Sequence, residues 1–469
     1  MDNLLLIAFG VYALFFGAIT YVFHKRNTAS EDFLLGNRSL NYLSTAIIAH
    51  ASDMSLWLFM GFPGVVYATG TASLWVPIGL LLGMYATWSL IAKRLRIETE
   101  QFQSVTLSDY LTKKFNDTSG LIRFFSSLSA LIFFTFYIAS GLVGIGIMFQ
   151  DVFAMKYIVG IGAGLLTTIA YTYFGGFMGI AWCHLIQGIF LIAMIFLIPL
   201  YAYTFLKNGL YDIGVTAYMK NIPLTLIPRT WQEISSGIIV ALSWGLGYFG
   251  QPHILVSFMG IDKSENMKKA QYVGMLWQLI TLGGMVVIGL IGIGLFKNGL
   301  SNNELVFIAM IQKLFSPFFA GLILAAIVAA GLTTINTQIL VAASTVSEDI
   351  YKAYWNKKAT STQLMNISKI AIIALPFLSF LIALFYKESV FHLVHFAWNG
   401  LGCTFGPILL VALLQKKLHY EVAFVGMLSG ALIVLLWPLT HYTLPSMIPG
   451  FFGSLAIMIV LDYLVSLKK

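Results

Sequence analysis

A single bundle of membrane-spanning α-helices is the fold class this sequence predicts. Three observations carry it: 59% of the 469 residues are hydrophobic, only 10% are charged, and the mean hydropathy is +0.86. A soluble domain carries about 25% charged residues. A helix that crosses the hydrocarbon core needs roughly 20 apolar residues at about 1.5 Å rise each. The chain therefore has room for a dozen or more spans joined by short loops, in one membrane domain without a soluble appendage.

Thirteen apolar segments follow in order: 3–23, 42–68, 73–95, 121–149, 157–176, 181–206, 233–259, 271–296, 317–346, 364–386, 390–414, 421–439 and 447–466. Charged or Gly/Pro-rich breaks separate them. The first has no basic flank before it and is long enough to span, so it reads as a helix and not as a cleaved signal. An odd number of spans puts the termini on opposite sides. Lys93, Arg94, Arg96, Lys113, Lys114 and Arg123 crowd one loop, and Lys352, Lys357, Lys358 and Lys369 another. Both loops are internal when the N-terminus is external. The opposite side holds only scattered residues such as Lys156, Lys207 and Lys297. This asymmetry predicts N-out, C-in. It also accounts for the net charge of +8 without nucleic acid, because the basic residues are spread over loops and form no stripe.

Several chemistries find no support. Cys183 and Cys403 sit inside apolar runs with no CxxC or His-paired spacing, which gives no disulfide, metal or redox role. No GxxxxGK[ST] loop exists for ATP-driven transport. The run Gly289-Leu290-Ile291-Gly292-Ile293-Gly294 lies mid-span with no strand before it, and reads as helix packing by small residues. Asn116-Asp117-Thr118 and Asn366-Ile367-Ser368 match the glycosylation pattern but fall on the expected inner side. No nucleophile–base or metal spacing suggests an enzyme.

The second and seventh segments are the informative ones. The second contains Ala49-His50-Ala51-Ser52-Asp53-Met54-Ser55-Leu56-Trp57, then Gly61-Phe62-Pro63-Gly64. The seventh contains Trp244-Gly245-Leu246-Gly247-Tyr248-Phe249-Gly250-Gln251-Pro252-His253. Both place polar residues, Gly and Pro in the middle of an apolar run. Unpaired backbone in a bilayer core is costly, so such breaks persist only beside a protein-lined cavity. Two interrupted helices, each the first of five, predict inverted repeats with a site at the midplane: segments two to six (42–206) and seven to eleven (233–414). Segment 3–23 and segments 421–466 then flank that core. Proline kinks that serve packing alone are the competing reading. Against it stands Asp53, since a carboxylate at the bilayer centre costs about 2.5–3.5 kcal/mol on insertion scales and marks function by default.

Helix ends supply the chemistry. If the second segment runs inside to outside, its inner half ends near Ala51 with bare carbonyls at the negative dipole end, which suit a sodium ion. Its outer half begins near Ser55 with free N–H groups at the positive end, which suit a carboxylate. A hard cation also takes hydroxyl oxygens, and Thr333 and Thr334 of segment nine offer a pair. By itself a Thr-Thr pair in a helix more often bonds back to its own turn.

At these residues the sequence resembles the sodium/solute symporter family, in its proline-transporting bacterial branch. The likeness runs from Glu31-Asp32-Phe33-Leu34-Leu35-Gly36-Asn37-Arg38-Ser39-Leu40 to Ile448-Pro449-Gly450-Phe451. Its most specific pieces are Ala51–Ser55, the stretch from Trp244 to Leu255, and Ser347-Glu348-Asp349-Ile350-Tyr351-Lys352. The resemblance implies a LeuT-like core with extra flanking helices in a cell membrane. It implies Na+ held by backbone carbonyls of Ala51, Met54 and Ala330 and by the hydroxyls of Thr333 and Thr334. Asp53 matches an acid tied to sodium coupling, and Arg38 an arginine near the inner mouth of the ion path. The substrate pocket it implies involves Ser55, Trp57, Tyr137, Trp244 and Tyr248, around a zwitterionic amino acid with proline foremost. Aromatic rings can clasp such a solute, partly by cation–π attraction, although each ring taken alone could equally be core or lipid-facing.

Two departures from the family pattern matter. Leu56 replaces a glycine beside the pocket serine; facing the pocket it would shrink the solute space, and facing a neighbouring helix it would change nothing. His184 stands where the family usually has an aspartate that helps hold a second sodium in some members, and Asn336 and Thr337 occupy the later positions. The expectation is one sodium per substrate, with His184 either a satisfied core histidine or a titrating group. The rival readings are another solute (a different amino acid, pantothenate or a sugar acid), the proton as driving ion, and a membrane sensor on the same fold. The sequence is silent on oligomeric state.

Overall fold

The computed structural model describes residues 3–24, 38–225, 230–386, 389–414, 418–441 and 443–467. Regular structure among them is helical, apart from one isolated bridge between Leu40 and Ile261. The helices are α1 (Asn3–His24), α2 (Tyr42–Ala51), α3 (57–69), α4 (75–101), α5 (Leu107–Lys114), α6 (Leu121–Phe153), α7 (Tyr157–Tyr203) and α8 (Leu210–Met219). They continue with α9 (Trp231–Gly245), α10 (Pro252–Met259), α11 (Met267–Leu295), α12 (Val306–Leu314), α13 (317–355), α14 (Ser361–Phe385), α15 (Val390–Leu414), α16 (Tyr420–Leu436) and α17 (Met447–Ser466). Ten stretches of described residues are long and apolar enough to cross a membrane. Large apolar side chains such as Leu82, Leu166, Leu200 and Phe385 face outward, as a bundle solvated by hydrocarbon requires. The chain is a multi-pass membrane protein.

Three short helices, α5, α8 and α12, occupy connections that carry no spanning signal, because 8 to 10 residues cannot cross a bilayer. The segments expected at 157–176 and 181–206 follow one another without an intervening loop and together take 47 residues, α7. Its halves nevertheless run in opposite directions. Gly160 and Gly164 pack on Phe149 and on Leu142 and Ile145, antiparallel to α6, whereas Gly188 meets Trp277 and Gly284 meets Ile195, parallel to α11. Both α6 and α11 start at the end of the molecule where Arg123 pairs with Asp109 and Arg96 donates to the carbonyl of Ile261 at 2.7 Å. The element therefore crosses the bundle twice, as two segments would. The side chains at 176–181 and 184 lie outside the described residues, and the reading of His184 with them.

Both expected breaks are present, and they face each other. Leu40 donates to the carbonyl of Gly260 at 3.1 Å, and Asp262 donates to that of Leu40 at 2.7 Å, so α2 begins where α10 ends. Further along, Asp53 meets Tyr248 and Trp57 stacks on Trp244. Residue numbers rise on one broken helix as they fall on the other, so the two run antiparallel through the centre, as inverted repeats require. Arg38 reinforces the shared end, donating to the carbonyls of Met259 (2.9 Å), Ser104 (2.9 Å) and Thr99 (3.2 Å).

Leu56 points away from the opposed breaks. A methyl group added at Gly331 of α13 would lie 2.5 Å from Leu56 Cγ, and one added at Gly144 of α6 would lie 2.8 Å from Leu56 Cδ1. The side chain is a buried wedge between two helices whose glycines make room for it. Leu56→Gly should therefore lower the thermal unfolding midpoint, at a cost of about 2–5 kcal/mol for the void. The set of solutes that compete for uptake should stay the same; a changed set would show that the side chain reaches the solute.

Candidate functional site

The first break leaves its peptide groups unevenly served. Helix α2 ends at Ala51, where Ser52 N and Met54 N still reach back to the carbonyls of Ile48 (2.9 Å) and His50 (3.1 Å). Ser55 N then turns onto the carbonyl of Asp53 at 2.9 Å. Helical bonding resumes with Leu58 N on the carbonyl of Ser55 at 3.0 Å and runs through a wide π-helical turn over Trp57–Gly61. The outer half opens at Ser55 as expected, but the Ser55 and Trp57 N–H groups are engaged and not free. The Trp57 indole closes the loop by donating to the carbonyl of Asp53 at 3.0 Å, and Trp57 N approaches Ser55 Oγ at 3.4 Å.

At the second break α9 tightens into a 3₁₀ turn over Leu246–Gly250, and Gln251 adopts extended backbone before Pro252 opens α10. Proline suits that first helical position, since its missing N–H would have no partner there. The Gln251 amide bridges the carbonyls of Gly247 and Trp398, both at 3.1 Å, which substitutes for lost helical bonding. Gly247 is held by close approach: a β-carbon there would fall inside the Trp398 indole.

Between the breaks lies Asp53, 3% exposed. Its Oδ2 accepts from the Tyr248 hydroxyl, which in turn accepts from Gln278 Nε2 at 2.8 Å. Its Oδ1 has no hydrogen-bond partner among the described residues. The same holds for Gln251 Oε1, Gln278 Oε1 and both ring nitrogens of His253, while the Tyr137 hydroxyl lies against Ser55 and Asp53. Buried polar atoms are seldom left unmet, and each needs an explanation. A polar ligand at this level would meet several of them at once.

Around the end of α2 the oxygen donors converge. Thr334 Oγ1 reaches across from α13 to the carbonyl of Ala51 at 3.1 Å and to its own Ala330 carbonyl at 3.3 Å. Thr333 Oγ1 donates back to Ala330 at 2.8 Å. Ala51, Met54, Ala330 and Thr333 line one cavity of about 20 Å³, which Trp277 and Thr281 help to enclose. Roughly 10–15 Å³ admits one water-sized sphere. The cavity wall is largely apolar, with Phe59, Leu191, Ile195 and Trp277. The few oxygens at its edge, with no thiolate or imidazole among them, are of the kind a hard cation takes. Both hydroxyl protons are spent on carbonyls, so the oxygen lone pairs remain for an ion. Arg38 stands apart from this set, at the shared end of the two broken helices.

Aromatic rings cover the other side. Trp57 and Trp244 stack with centroids 5.5 Å apart, and Trp244 also meets Phe391 (5.1 Å) and His395 (5.0 Å). Tyr248 stands edge-on to Trp398 at 4.9 Å, whose indole donates to the Trp244 carbonyl at 3.0 Å. Glu304 fixes Phe391 by accepting from Ser389 Oγ (2.8 Å) and from the N–H groups of Val390 (3.2 Å) and Phe391 (3.3 Å), a carboxylate cap on the start of α15.

Comparison with known sequences decides the family. The sequence model of the Sodium:solute symporter family matches residues 33–430. This chain belongs to that family. It is 37% identical over 443 residues to a high-affinity proline transporter of Bacillus subtilis (strain 168), covering 93% of each chain. It is 36% identical to a sodium/proline symporter of Escherichia coli (strain K12), covering 97% of this chain and 92% of that one. Among solved structures, a Na+-coupled sialic acid symporter in its substrate-bound outward-open state superposes with a TM-score of 0.85 at 19% identity, over 99% of this chain and 98% of that one. Mhp1, a nucleobase-cation-symport-1 family transporter, gives 0.54 at 14% identity, over 92% of each. The fold is the LeuT-like symporter fold.

The sequence reading of this symporter missed Gln278, Gln251, His253 and Trp398 as members of the centre. Gln278 carried a usable signal, being a polar side chain inside the apolar run of α11. Trp398 carried none, because an indole in a lipid-soluble helix faces core, lipid or ligand alike. Thr334 makes the only described side-chain bridge from α13 to the end of α2. Thr334→Ala should therefore raise the sodium concentration for half-maximal uptake about tenfold, equivalent to about 1.4 kcal/mol, with unchanged yield in the membrane. Unaltered sodium activation would remove this residue from the ion site.

Proposed function

We propose that this chain is a sodium-coupled symporter of proline in the bacterial inner (plasma) membrane, working by alternating access with one sodium per substrate. One observation carries the reading: Thr334 binds α13 to the carbonyl end of α2 at Ala51, two residues from the half-paired carboxylate of Asp53. Ion ligands and solute ligands thus share one broken helix. The relatives named as proline transporters support the choice of solute, and Leu56 is wedged against Gly144 and Gly331 rather than among the residues assigned to the solute.

In this reading sodium is held by the carbonyls of Ala51, Met54 and Ala330 and the hydroxyls of Thr333 and Thr334. Holding α2 against α13 preorganises Ser55, Trp57, Tyr137, Trp244 and Tyr248 for the zwitterion, whose ammonium faces Asp53 Oδ1. The repeats 42–206 and 233–414 then rock about the shared site, with the N-terminus outside and Arg38 at the inner end. Because binding linkage is reciprocal, sodium and solute raise each other's affinity by the same factor. One ion is sufficient: about 2.3 kcal/mol per charge at 100 mV and about 1.4 kcal/mol from a tenfold gradient support a few-hundredfold accumulation of a neutral solute.

The test is uptake of radiolabelled proline into vesicles of the reconstituted protein after a sodium jump. Accumulation should need sodium, follow it with a Hill slope near one, and yield to excess unlabelled proline. A slope near two would contradict the stoichiometry. Uptake that survives sodium removal and rises with external acidity would replace sodium by the proton, and stronger competition by pantothenate, a sugar acid or another amino acid would replace proline.

A further inference from the structure

Gln278 belongs to neither broken helix, yet it closes the hydrogen-bond chain on which Asp53 depends. It lies near the middle of α11, 1% exposed, within Leu276-Trp277-Gln278-Leu279-Ile280. Its Nε2 donates to the Tyr248 hydroxyl at 2.8 Å, and the Tyr248 hydroxyl contacts Asp53 Oδ2. Gln278 Oε1 has no partner among the described residues.

The direction of this chain follows from proton counting. A phenol has one proton and here has two polar neighbours. With an amide N–H on the phenol oxygen, the phenol proton goes to the carboxylate. With the amide reversed, the single proton would face two acceptors, and the ionised carboxylate is the stronger. The amide oxygen would then press on the phenol oxygen with no proton between them. The orientation that leaves Gln278 Oε1 unmet is thus the one that serves Asp53.

Resting on the reading of Asp53 as part of the solute site, we infer that Gln278 is a positioning residue for transport. It fixes the Tyr248 proton on Asp53 Oδ2 and so leaves Oδ1 as the one free acceptor, aimed at the cationic end of the solute. Gln278 acts through Tyr248 and does not itself touch the solute.

The experiment compares Gln278→Met and Gln278→Glu, each alone and combined with Tyr248→Phe, in reconstituted vesicles. Gln278→Met keeps the volume but removes the donor, and should raise the KM for proline about tenfold, the loss of about one buried hydrogen bond. Added to Tyr248→Phe it should change KM less than about twofold, because the route through the phenol is already gone. Gln278→Glu keeps the shape but competes for the phenol proton, and should weaken proline binding more than Gln278→Met does. Full additivity with Tyr248→Phe, as a merely structural role would give, overturns the inference. So does tighter binding in Gln278→Glu, which would mean that added negative charge acts directly on the solute. If Gln278→Met does not fold, Gln278→Glu carries the same double-variant comparison.

Wild-type protein separates this inference from the function beneath it. If it accumulates no proline on a sodium jump, the proposed function fails. The link between Gln278 and Tyr248 is then read from the rise in unfolding temperature that sodium alone produces. That rise should shrink in Gln278→Met and shrink no further when Tyr248→Phe is already present; an independent, additive loss sinks the inference there too.

Discussion

A peptide group stranded in hydrocarbon must find a partner, and the rest of this structure is arranged around two places where the helix does not provide one. At both breaks side chains take over from the missing backbone bonds. The Trp57 indole covers the carbonyl of Asp53, and the Gln251 amide covers those of Gly247 and Trp398. The Ala51 carbonyl receives Thr334 from α13. The two breaks meet each other through the Tyr248 hydroxyl on Asp53 and the Trp57–Trp244 stack.

Close approach makes these contacts possible. Gly247 admits the Trp398 indole, and Gly144 and Gly331 admit Leu56. Without a hydrophobic driving force between helices in lipid, contacts of this kind and interhelical hydrogen bonds supply cohesion. The aromatic cover over Trp244 depends in turn on Phe391, whose position Glu304 sets from a separate loop. Several elements thus converge on one polar centre, and α13 is tied to α2 there through Thr334.

What remains unmet at that centre is as informative as what is bonded. Asp53 Oδ1, Gln251 Oε1 and the nitrogens of His253 are buried without partners among the described residues. In a membrane interior such atoms are expensive, and a bound zwitterion with its ion would account for them economically. The arrangement Gln278 to Tyr248 to Asp53 shows that part of this polarity is directed.

The sequence by itself determined the helical class, the two breaks, Asp53 at membrane depth and the family, because each leaves a local mark: Gly, Pro or charge inside an apolar run, or a motif. Tertiary structure alone decided that Leu56 faces α6 and α13, that Thr334 and not Thr333 spans the gap to Ala51, and that Gln278 and Trp398 join the centre. The physical reason lies in the solvent. In water a helix shows its buried face as an apolar stripe, but in lipid both the packed and the exposed faces are apolar, so the sequence does not say which way a side chain points. Only the placement of a second helix against the first gives that direction.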